Sequence, residues 1–222
     1  MKKYQVYISI GVVAAIIVLV GIAGLVSRAN YDATKLETTK VRIADLPIVQ
    51  ALPLYLAIDN GYFKDAGLEV ERVKFDAPNQ IIDALMTGQV DFAATGAATG
   101  ITGIAETKKP DSLRIFALTG GDNKVVNDAI LVKNDSSIKS LQELKGKKLG
   151  VLPGIQWRTI AQHILAQNNL TTSDVTLVEL APTLQGQALA TGQIDALLGV
   201  EPVPTIIKAN DIGKEIVHTP TA

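Results

Sequence analysis

The stretch ALMTGQVDFAATG at residues 84–96 is repeated almost unchanged as ALATGQIDALLGV at residues 188–200. Each position in the first copy corresponds to the position 104 residues later in the second. In both copies the pattern is that of a helix that ends at a glycine and is followed directly by a strand. The repetition predicts two halves of the chain that share the same local architecture.

Two aspartates occupy equivalent positions in the copies, three residues after the glycines Gly88 and Gly192. Glycine tolerates the left-handed backbone that closes a helix. A carboxylate at Asp91 or Asp195 can then accept hydrogen bonds from free backbone N–H groups at the start of a strand. A catalytic pair of carboxylates is the alternative. The identical local settings favour the structural role.

The segments around the repeat alternate between strand and helix patterns. Period-two patterns and short apolar runs predict strands, spacings of three and four predict helices, and Gly or Pro ends most segments. This order implies mostly parallel sheets with helices on both faces, an α/β fold. The predicted strands are 40–47, 68–75, 90–95, 113–118, 129–132, 147–153, 174–180 and 194–200, and the predicted helices are 52–63, 79–88, 157–170 and 184–192.

The N-terminus carries a long uncharged segment from Gln5 to Ser27, preceded by two lysines. It is long enough to cross a bilayer of roughly 30 Å as a helix. The flanking lysines place the N-terminus in the cytoplasm and the following chain outside. Residues 6–26 therefore form a membrane anchor, or residues 1–27 form a cleaved signal, for which Ser27-Arg28-Ala29 gives a small-x-small site. Both alternatives predict an extracytoplasmic protein.

The composition excludes several classes of function. The 222-residue chain has a formal net charge of -1, which gives no electrostatic basis for binding nucleic acid. It has no cysteine, so disulfides, thiolate metal sites and a cysteine nucleophile are excluded. The two histidines, His163 and His218, have no other ligands at metal-binding spacing. We therefore expect no metal, no cofactor and no catalytic activity.

Several further stretches carry a family resemblance. They are PLYLAIDNGYFKDAGLEVERV (53–73), DALMTGQVDFAATG (83–96), AILVKNDSSIKSLQELKGKKLGV (129–151) and ALATGQIDALLGVEP (188–202). In this order they closely resemble the nitrate, sulfonate, taurine and bicarbonate family of ABC-transporter substrate-binding proteins, which includes binding proteins for thiamine-pyrimidine precursors. The resemblance covers nearly all of residues 40–209.

The resemblance implies a type II periplasmic-binding-protein fold, in which two α/β lobes are joined by a hinge and hold one small solute in the cleft between them. We divide the chain accordingly. Family members complete the second lobe and return to the first, whereas this chain stops at Ala222. We expect the second lobe and the return segment to be incomplete. The predicted divisions are the signal or anchor 1–27, a linker 28–39, lobe one 40–118, a hinge or crossover 119–133, and lobe two 134–222.

Ligands of open α/β sheets bind beyond the carboxyl ends of the strands, and this rule selects candidate residues in the first half. Gln50 follows the first strand, and its side-chain amide can both donate and accept. Thr95 and Thr99 offer hydroxyls near a helix start, where they are also suited to plain capping. Asp122 and Asn123 follow a Gly pair in the crossover, where such residues also form turns.

The second half offers the loop PGIQWRT, which contributes Gln156, Trp157 and Arg158. The guanidinium of Arg158 can clamp an oxyanion, and Trp157 can line a cleft. Alternatively Trp157 packs on its helix and Arg158 faces water. Glu201 precedes a predicted helix, where it either complements the helix dipole or binds an ammonium group of a solute.

The resemblance implies the remaining features of the function. The protein is expected to be a monomer that captures a small anion and delivers it to the permease and ATPase subunits of an ABC importer. A membrane-tethered sensing domain is one alternative. A pyrimidine-precursor synthase on the same scaffold is another, but those enzymes are intracellular and carry a cysteine-rich motif that this chain lacks.

Overall fold

The fold is taken from a computed structural model, which describes residues 38–94, 99–117 and 127–218. The described residues from Lys40 onward belong to one compact unit. Among the described residues, no helix has the length and apolar character needed to span a bilayer. The predicted anchor or signal at residues 1–27 lies outside the described part of the chain.

The first sheet has three strands in the order β2-β1-β3. Strand β1 runs parallel to β3, with Ile43 opposite Phe92 and Ala44 opposite Ala93. Helices and a short 3-10 turn at Val49–Ala51 connect these strands. The strands are β1 (Thr39–Asp45), β2 (Leu68–Lys74) and β3 (Phe92–Ala93), and the helices are α1 (Leu52–Asp59), α2 (Tyr62–Asp65), α3 (Pro78–Met86) and α4 (Thr99–Lys108).

The second sheet has five strands in the order β6-β5-β7-β4-β8. Strand β5 is parallel to both β6 and β7, whereas β4 is antiparallel to both β7 and β8. A 3-10 turn at Leu141–Leu144 precedes β5. The strands are β4 (Asp128–Lys133), β5 (Lys148–Val151), β6 (Thr176–Glu179), β7 (Ala196–Val200) and β8 (Gly213–His218), and the helices are α5 (Ile155–Gln167), α6 (Pro182–Ala190) and α7 (Val203–Ala209).

Two predictions need correction. The second sheet is mixed rather than mostly parallel, because β4 enters from the crossover and runs against its neighbours, while the unpredicted β8 pairs on its far side. The strand predicted at 113–118 is wrong for residues 113–117, which form no strand. The apolar alternation there reflects side chains left exposed, since Ile115 is 56% and Phe116 76% accessible.

The repeated sequence forms the same corner twice. Gly88 and Gly192 have φ values of 72° and 74°, so both helices end in the left-handed turn that the sequence predicts. One residue later, the N–H of Gln89 donates to the carbonyl of Ala84 at 2.8 Å, and that of Gln193 donates to the equivalent Ala188 at 3.0 Å. The predicted duplication is therefore confirmed at the level of individual backbone hydrogen bonds.

The predicted structural role of the two aspartates is confirmed as well. The carboxylate of Asp91 accepts the backbone N–H of Arg42 at 2.8 Å, and that of Asp195 accepts the backbone N–H of Lys148 at 2.8 Å. Each aspartate thus ties its corner to the neighbouring strand, β1 or β5. Acceptance of a backbone N–H from that strand is the role expected of a structural residue.

One buried apolar cluster includes residues of both sheets. Leu46 and Ile81 belong to the first sheet and its helices, while Ile130, Leu149 and Leu198 belong to the second. Burial of these side chains is the main source of stability at such a contact. The two sheets therefore share part of their hydrophobic core.

Candidate functional site

Loops from the two sheets meet at the carboxyl ends of the strands. The backbone N–H of Val49, after β1, donates to the carbonyl of Glu201, after β7, at 2.8 Å. A second approach joins Asn79 at the start of α3 to Gly154 at the start of α5. A Cβ placed on Gly154 would lie 3.1 Å from Oδ1 of Asn79. We call the loops 46–51, 76–80, 152–158 and 201–203 the cleft loops.

Gln50 lies in the 3-10 turn that follows β1. Its Oε1 is buried and has no hydrogen-bond partner among the described residues, although the residue as a whole is partly exposed. A buried amide oxygen without a donor is unfavourable by about 1–3 kcal/mol. Gln50 therefore offers an unused acceptor beside the contact between the two sheets.

Two helices begin at the cleft loops without a side-chain cap on their own N-terminal residue. Helix α3 starts at Pro78 after Ala77, and α5 starts at Ile155 after Gly154. The Oε1 of Gln80 accepts the backbone N–H groups of Asp76 and Ala77, both at 3.2 Å. The N–H groups in the first turn of a helix carry a partial positive charge and favour anions. The approach of Asn79 to Gly154 brings these two helix starts together.

Arg158 lies on the first turn of α5 and pairs with Glu179, the last residue of β6. Nη1 of Arg158 donates to Oε1 of Glu179 at 2.7 Å, and the N–H of Gly154 donates to Oε2 at 3.3 Å. The pair is open to solvent, with side-chain exposures of 50% and 33%. The carboxylate of Glu179 thus occupies the kind of position, between a guanidinium and a helix N-terminus, that suits a free oxyanion.

The other two candidates in the PGIQWRT loop, Trp157 and Gln156, differ in how deeply they are buried. Trp157 is 8% exposed and belongs to the apolar cluster shared by the two sheets, which is the packing alternative of the sequence analysis. Gln156 precedes it and is partly exposed. Ligand contact by either residue remains a prediction.

Glu201 has three roles at the contact between the sheets. Its carbonyl accepts the N–H of Val49, its own N–H donates to the carbonyl of Asn127 at 2.8 Å, and its Oε2 accepts the N–H of Thr205 at 3.2 Å. The last bond caps α7, as its position before a predicted helix suggests. The ammonium-binding role of Glu201 remains a prediction.

The remaining candidates fall outside the described residues in whole or in part. Thr95, Asp122 and Asn123 lie in segments that the structure does not describe. Thr99 begins α4, but its side chain is also outside the described part of the chain. Their predicted contacts with a solute stay predictions.

The described surface includes a hollow of about 590 Å³ that is lined in part by Phe75 and by Asp76 and Gln80 of the cleft loop 76–80. It is on the first sheet and is polar and open. Within residues 38–94, 99–117 and 127–218, no group of His, Asp and Glu side chains could hold a metal ion. All residues that line the hollow lie between Lys74 and Gln89, so it does not reach the second sheet. The loops that approach each other across the two sheets therefore define the candidate site better than the hollow does.

Two residues at this site, Asn79 and Glu179, were not predicted from the sequence. Asn79 lies inside a loop that the strand pattern places at the cleft, but it has no distinctive motif. Glu179 ends the strand TLVE, and an acid at the carboxyl end of a strand is the available signal. Neither residue could be paired with Gly154 or Arg158 from the sequence, because even the nearest of these contacts, Arg158 to Glu179, joins residues 21 positions apart.

Comparison with known proteins defines the class. The family model described as "NMT1/THI5 like" matches residues 48–217, and the chain therefore belongs to this family. Among solved structures, the alkanesulfonate-binding protein SsuA from Xanthomonas axonopodis pv. citri bound to MOPS has a TM-score of 0.65 at 22% identity. It is matched over 82% of this chain and 61% of its own. This likeness shows that the described chain has the same α/β fold as that protein.

Two curated relatives indicate the range of functions in the family. A putative aliphatic sulfonates-binding protein from Bacillus subtilis (strain 168) is 27% identical over 186 residues, which is 82% of this chain and 54% of the relative. A 4-amino-5-hydroxymethyl-2-methylpyrimidine phosphate synthase from Aspergillus parasiticus is 26% identical over 69% of this chain and 43% of its own length. The chain thus spans about half the length of the curated relatives it matches.

Proposed function

We propose that this protein is an extracytoplasmic solute-binding component of an ABC importer and that it captures a small anion of the sulfonate or nitrate type. The solute binds between the loops of the two sheets, and permease and ATPase subunits are the partners. Residues 6–26 anchor the protein in the membrane or serve as its export signal. The protein acts as a monomer.

The observation that carries this proposal is the meeting of the starts of α3 and α5 at Asn79 and Gly154, beside Arg158. Two helix N-termini and one guanidinium supply hydrogen-bond donors from both sheets to a single region. Oxyanions such as sulfonates match donors of this kind. Gln50 adds an acceptor for a hydroxyl or amino group elsewhere on the solute.

Glu179 supports the same assignment, because its carboxylate holds the donors that the solute would need. Its carboxylate already receives hydrogen bonds from Gly154 and Arg158. Since this ion pair is largely open to water, it contributes at most about 1 kcal/mol. An entering sulfonate displaces Glu179 and takes over its donors.

The synthase relative supports a second candidate function, an enzyme on the same scaffold. Chemistry in this chain would have to proceed without a thiol, because the chain has no cysteine. Incubation with candidate pyrimidine precursors, followed by mass spectrometry of the small molecules, separates the two functions. Binding without conversion supports solute capture, and a new product supports the enzyme.

The direct test is a thermal-shift screen of the full-length chain against ethanesulfonate, taurine, MOPS, nitrate, bicarbonate and aminopyrimidines. A solute at 100 times its Kd adds about 2.7 kcal/mol of stability. We expect a sulfonate to give the largest rise in melting temperature. If none of these compounds raises it, the proposal is wrong.

Two variants test whether the anion binds at Arg158. Arg158→Gln removes the guanidinium and weakens sulfonate binding by about tenfold or more, the value of a charged hydrogen bond. Glu179→Gln removes the competing carboxylate and strengthens binding. Arg114→Gln is the matched control, since Arg114 forms an exposed pair with Asp111 in the segment that follows α4. Equal weakening by Arg158→Gln and Arg114→Gln contradicts the assignment.

A further inference from the structure

Strand β1 ends in a buried acid. Asp45 is completely inaccessible to solvent. Its Oδ2 accepts hydrogen bonds from Nη2 of Arg72 at 2.6 Å and from Nε of Arg72 at 3.2 Å. Its Oδ1 is buried and has no hydrogen-bond partner among the described residues. Removing a carboxylate from water is costly, and a single cation on one oxygen returns little net stability. Such a pair is weak evidence of net stabilisation, and its fixed geometry can instead hold neighbouring groups in place.

Tyr55 connects this pair to the backbone of the cleft loop. The guanidinium carbon of Arg72 lies 4.2 Å from the centre of the Tyr55 ring, within the range of a cation–π contact. The Tyr55 hydroxyl donates to the carbonyl of Leu46 at 3.3 Å. Burial and the neighbouring Asp45 carboxylate raise the pKa of Tyr55 to about 12. The Tyr55 hydroxyl is protonated at neutral pH, as in any tyrosine, and can donate.

The Leu46 carbonyl begins the turn that carries the candidate site. It also accepts the N–H of Ile48 at 2.8 Å. The next residues form the 3-10 turn that contains Gln50, and Val49 in that turn makes the 2.8 Å bond to Glu201 on the second sheet. A continuous series of contacts thus leads from the buried Asp45 to the loop that bridges the two sheets.

We propose that Asp45, Arg72 and Tyr55 are positioning residues that hold the turn 46–51 in the shape that presents Gln50 to the solute and Val49 to Glu201. Asp45 fixes the guanidinium, the guanidinium fixes the Tyr55 ring, and the ring's hydroxyl fixes the carbonyl of Leu46. The part of this inference that concerns solute affinity rests on the proposed function. The part that concerns the shape of the turn does not.

The other half of β1 supplies a matched control. Arg42 and Asp91 form a second arginine–aspartate pair, with Nη2 and Oδ1 2.8 Å apart. This pair lies three residues earlier on the same strand, away from the turn. Arg72→Lys and Arg42→Lys each keep the charge and remove the fork of the guanidinium. Only the first removes a group that reaches the turn through Tyr55.

The experiment compares full-length wild-type protein with Tyr55→Phe, Arg72→Lys and Arg42→Lys. Amide hydrogen exchange is followed in residues 46–51 and in 154–158, and the Kd for MOPS is measured by calorimetry. Tyr55→Phe and Arg72→Lys should each speed exchange in 46–51 by about two- to tenfold, the effect of losing one hydrogen bond. Each should weaken MOPS binding by a similar factor. Arg42→Lys should do neither.

The outcomes separate the two proposals. If exchange in 46–51 does not change in Tyr55→Phe and Arg72→Lys, the positioning role is overturned. It is also overturned if Arg42→Lys has the same effects, because the pair would then act only through stability. If wild-type protein does not bind MOPS while exchange in 46–51 rises as expected, the positioning role stands and the sulfonate assignment loses its support.

Discussion

The two corners at 84–96 and 188–200 have nearly the same sequence and differ in their surroundings. The second corner leads into β7, whose five residues are all buried between β5 and β4. The first leads into β3, a two-residue strand at the edge of its sheet, where Phe92 is 43% exposed. The local hydrogen bonds follow from the sequence, and burial follows from the neighbouring strands.

The difference extends to the aspartates. The carboxylate of Asp91 accepts hydrogen bonds from Nε and Nη2 of the Arg42 side chain in addition to the one from the Arg42 backbone N–H. For Asp195 the described bond is the one from the backbone N–H of Lys148. The first corner, at the exposed edge, is thus held by an ion pair, whereas the second corner is held by the burial of its apolar side chains. We conclude that one structural element is stabilised by different interactions in the two sheets.

The largest expected effect comes from equivalent leucines at the two corners. Leu189 is completely buried in the second sheet, whereas Leu85 is only partly buried in the first. Leu189→Ala should lower the free energy of unfolding by about 2–5 kcal/mol, as for other buried leucines. Leu85→Ala should cost clearly less. Chemical denaturation of the two variants measures both losses, and equal losses would show that the corners do not differ in packing.

Substitution of either glycine should lower stability by less than Leu189→Ala, and by the same amount at Gly88 and Gly192. A Cβ at Gly88 or Gly192 would meet no atom within 4 Å, so only the positive φ opposes a side chain. Alanine at either position should cost about 1–2 kcal/mol, the cost of left-handed backbone. Thermal unfolding of the two variants provides the comparison. A loss confined to one glycine would mean that the corners differ in backbone as well as in surroundings.

The smallest effect depends on pH and is specific to the first corner. Hydrogen bonds from the Arg42 side chain, and then from its backbone N–H, lower the pKa of Asp91 to about 2. A folded pKa below the unfolded value of about 3.9 gives stability that is present above pH 4 and is lost as the pH falls towards 2. The melting temperature of Asp91→Asn should lie below that of wild type at pH 7.

The gap between Asp91→Asn and wild type should close between about pH 4 and pH 2, because Asp91 becomes protonated in the wild type. Melting curves recorded at intervals across this range test the expectation. Added salt should also narrow the gap at pH 7, since the pair is partly exposed. A gap that stays constant down to pH 2 would falsify the ion-pair explanation.

Much of the fold could be predicted from the sequence because the relevant signals are local. The helix ends at Gly88 and Gly192 and the roles of Asp91 and Asp195 need only a few neighbouring residues. The mixed second sheet could not be predicted in this way. The direction of β4 depends on pairing with β7 and β8, which lie far along the chain. Strand patterns do not encode the direction of a neighbour.

The candidate site was predictable in its loops but not in its contacts. Gln50 and Arg158 follow the carboxyl ends of β1 and β5, as the strand pattern predicts, and their contact with a solute stays a prediction. The partners of these residues come from other segments, as with Glu179 for Arg158. Trp157 shows the limit of the rule, because a residue in a cleft loop can still turn into the core. Side-chain direction, unlike loop position, is decided by packing.

The most direct test of the account is a hydrogen-exchange footprint of the wild-type chain, with and without the solute that gives the largest thermal shift. A solute held between the two sheets must slow exchange in 46–51 and in 154–158 together, while the corners at 84–96 and 188–200 stay unchanged. Protection in only one of the two loops, or protection at the corners instead, would contradict the account.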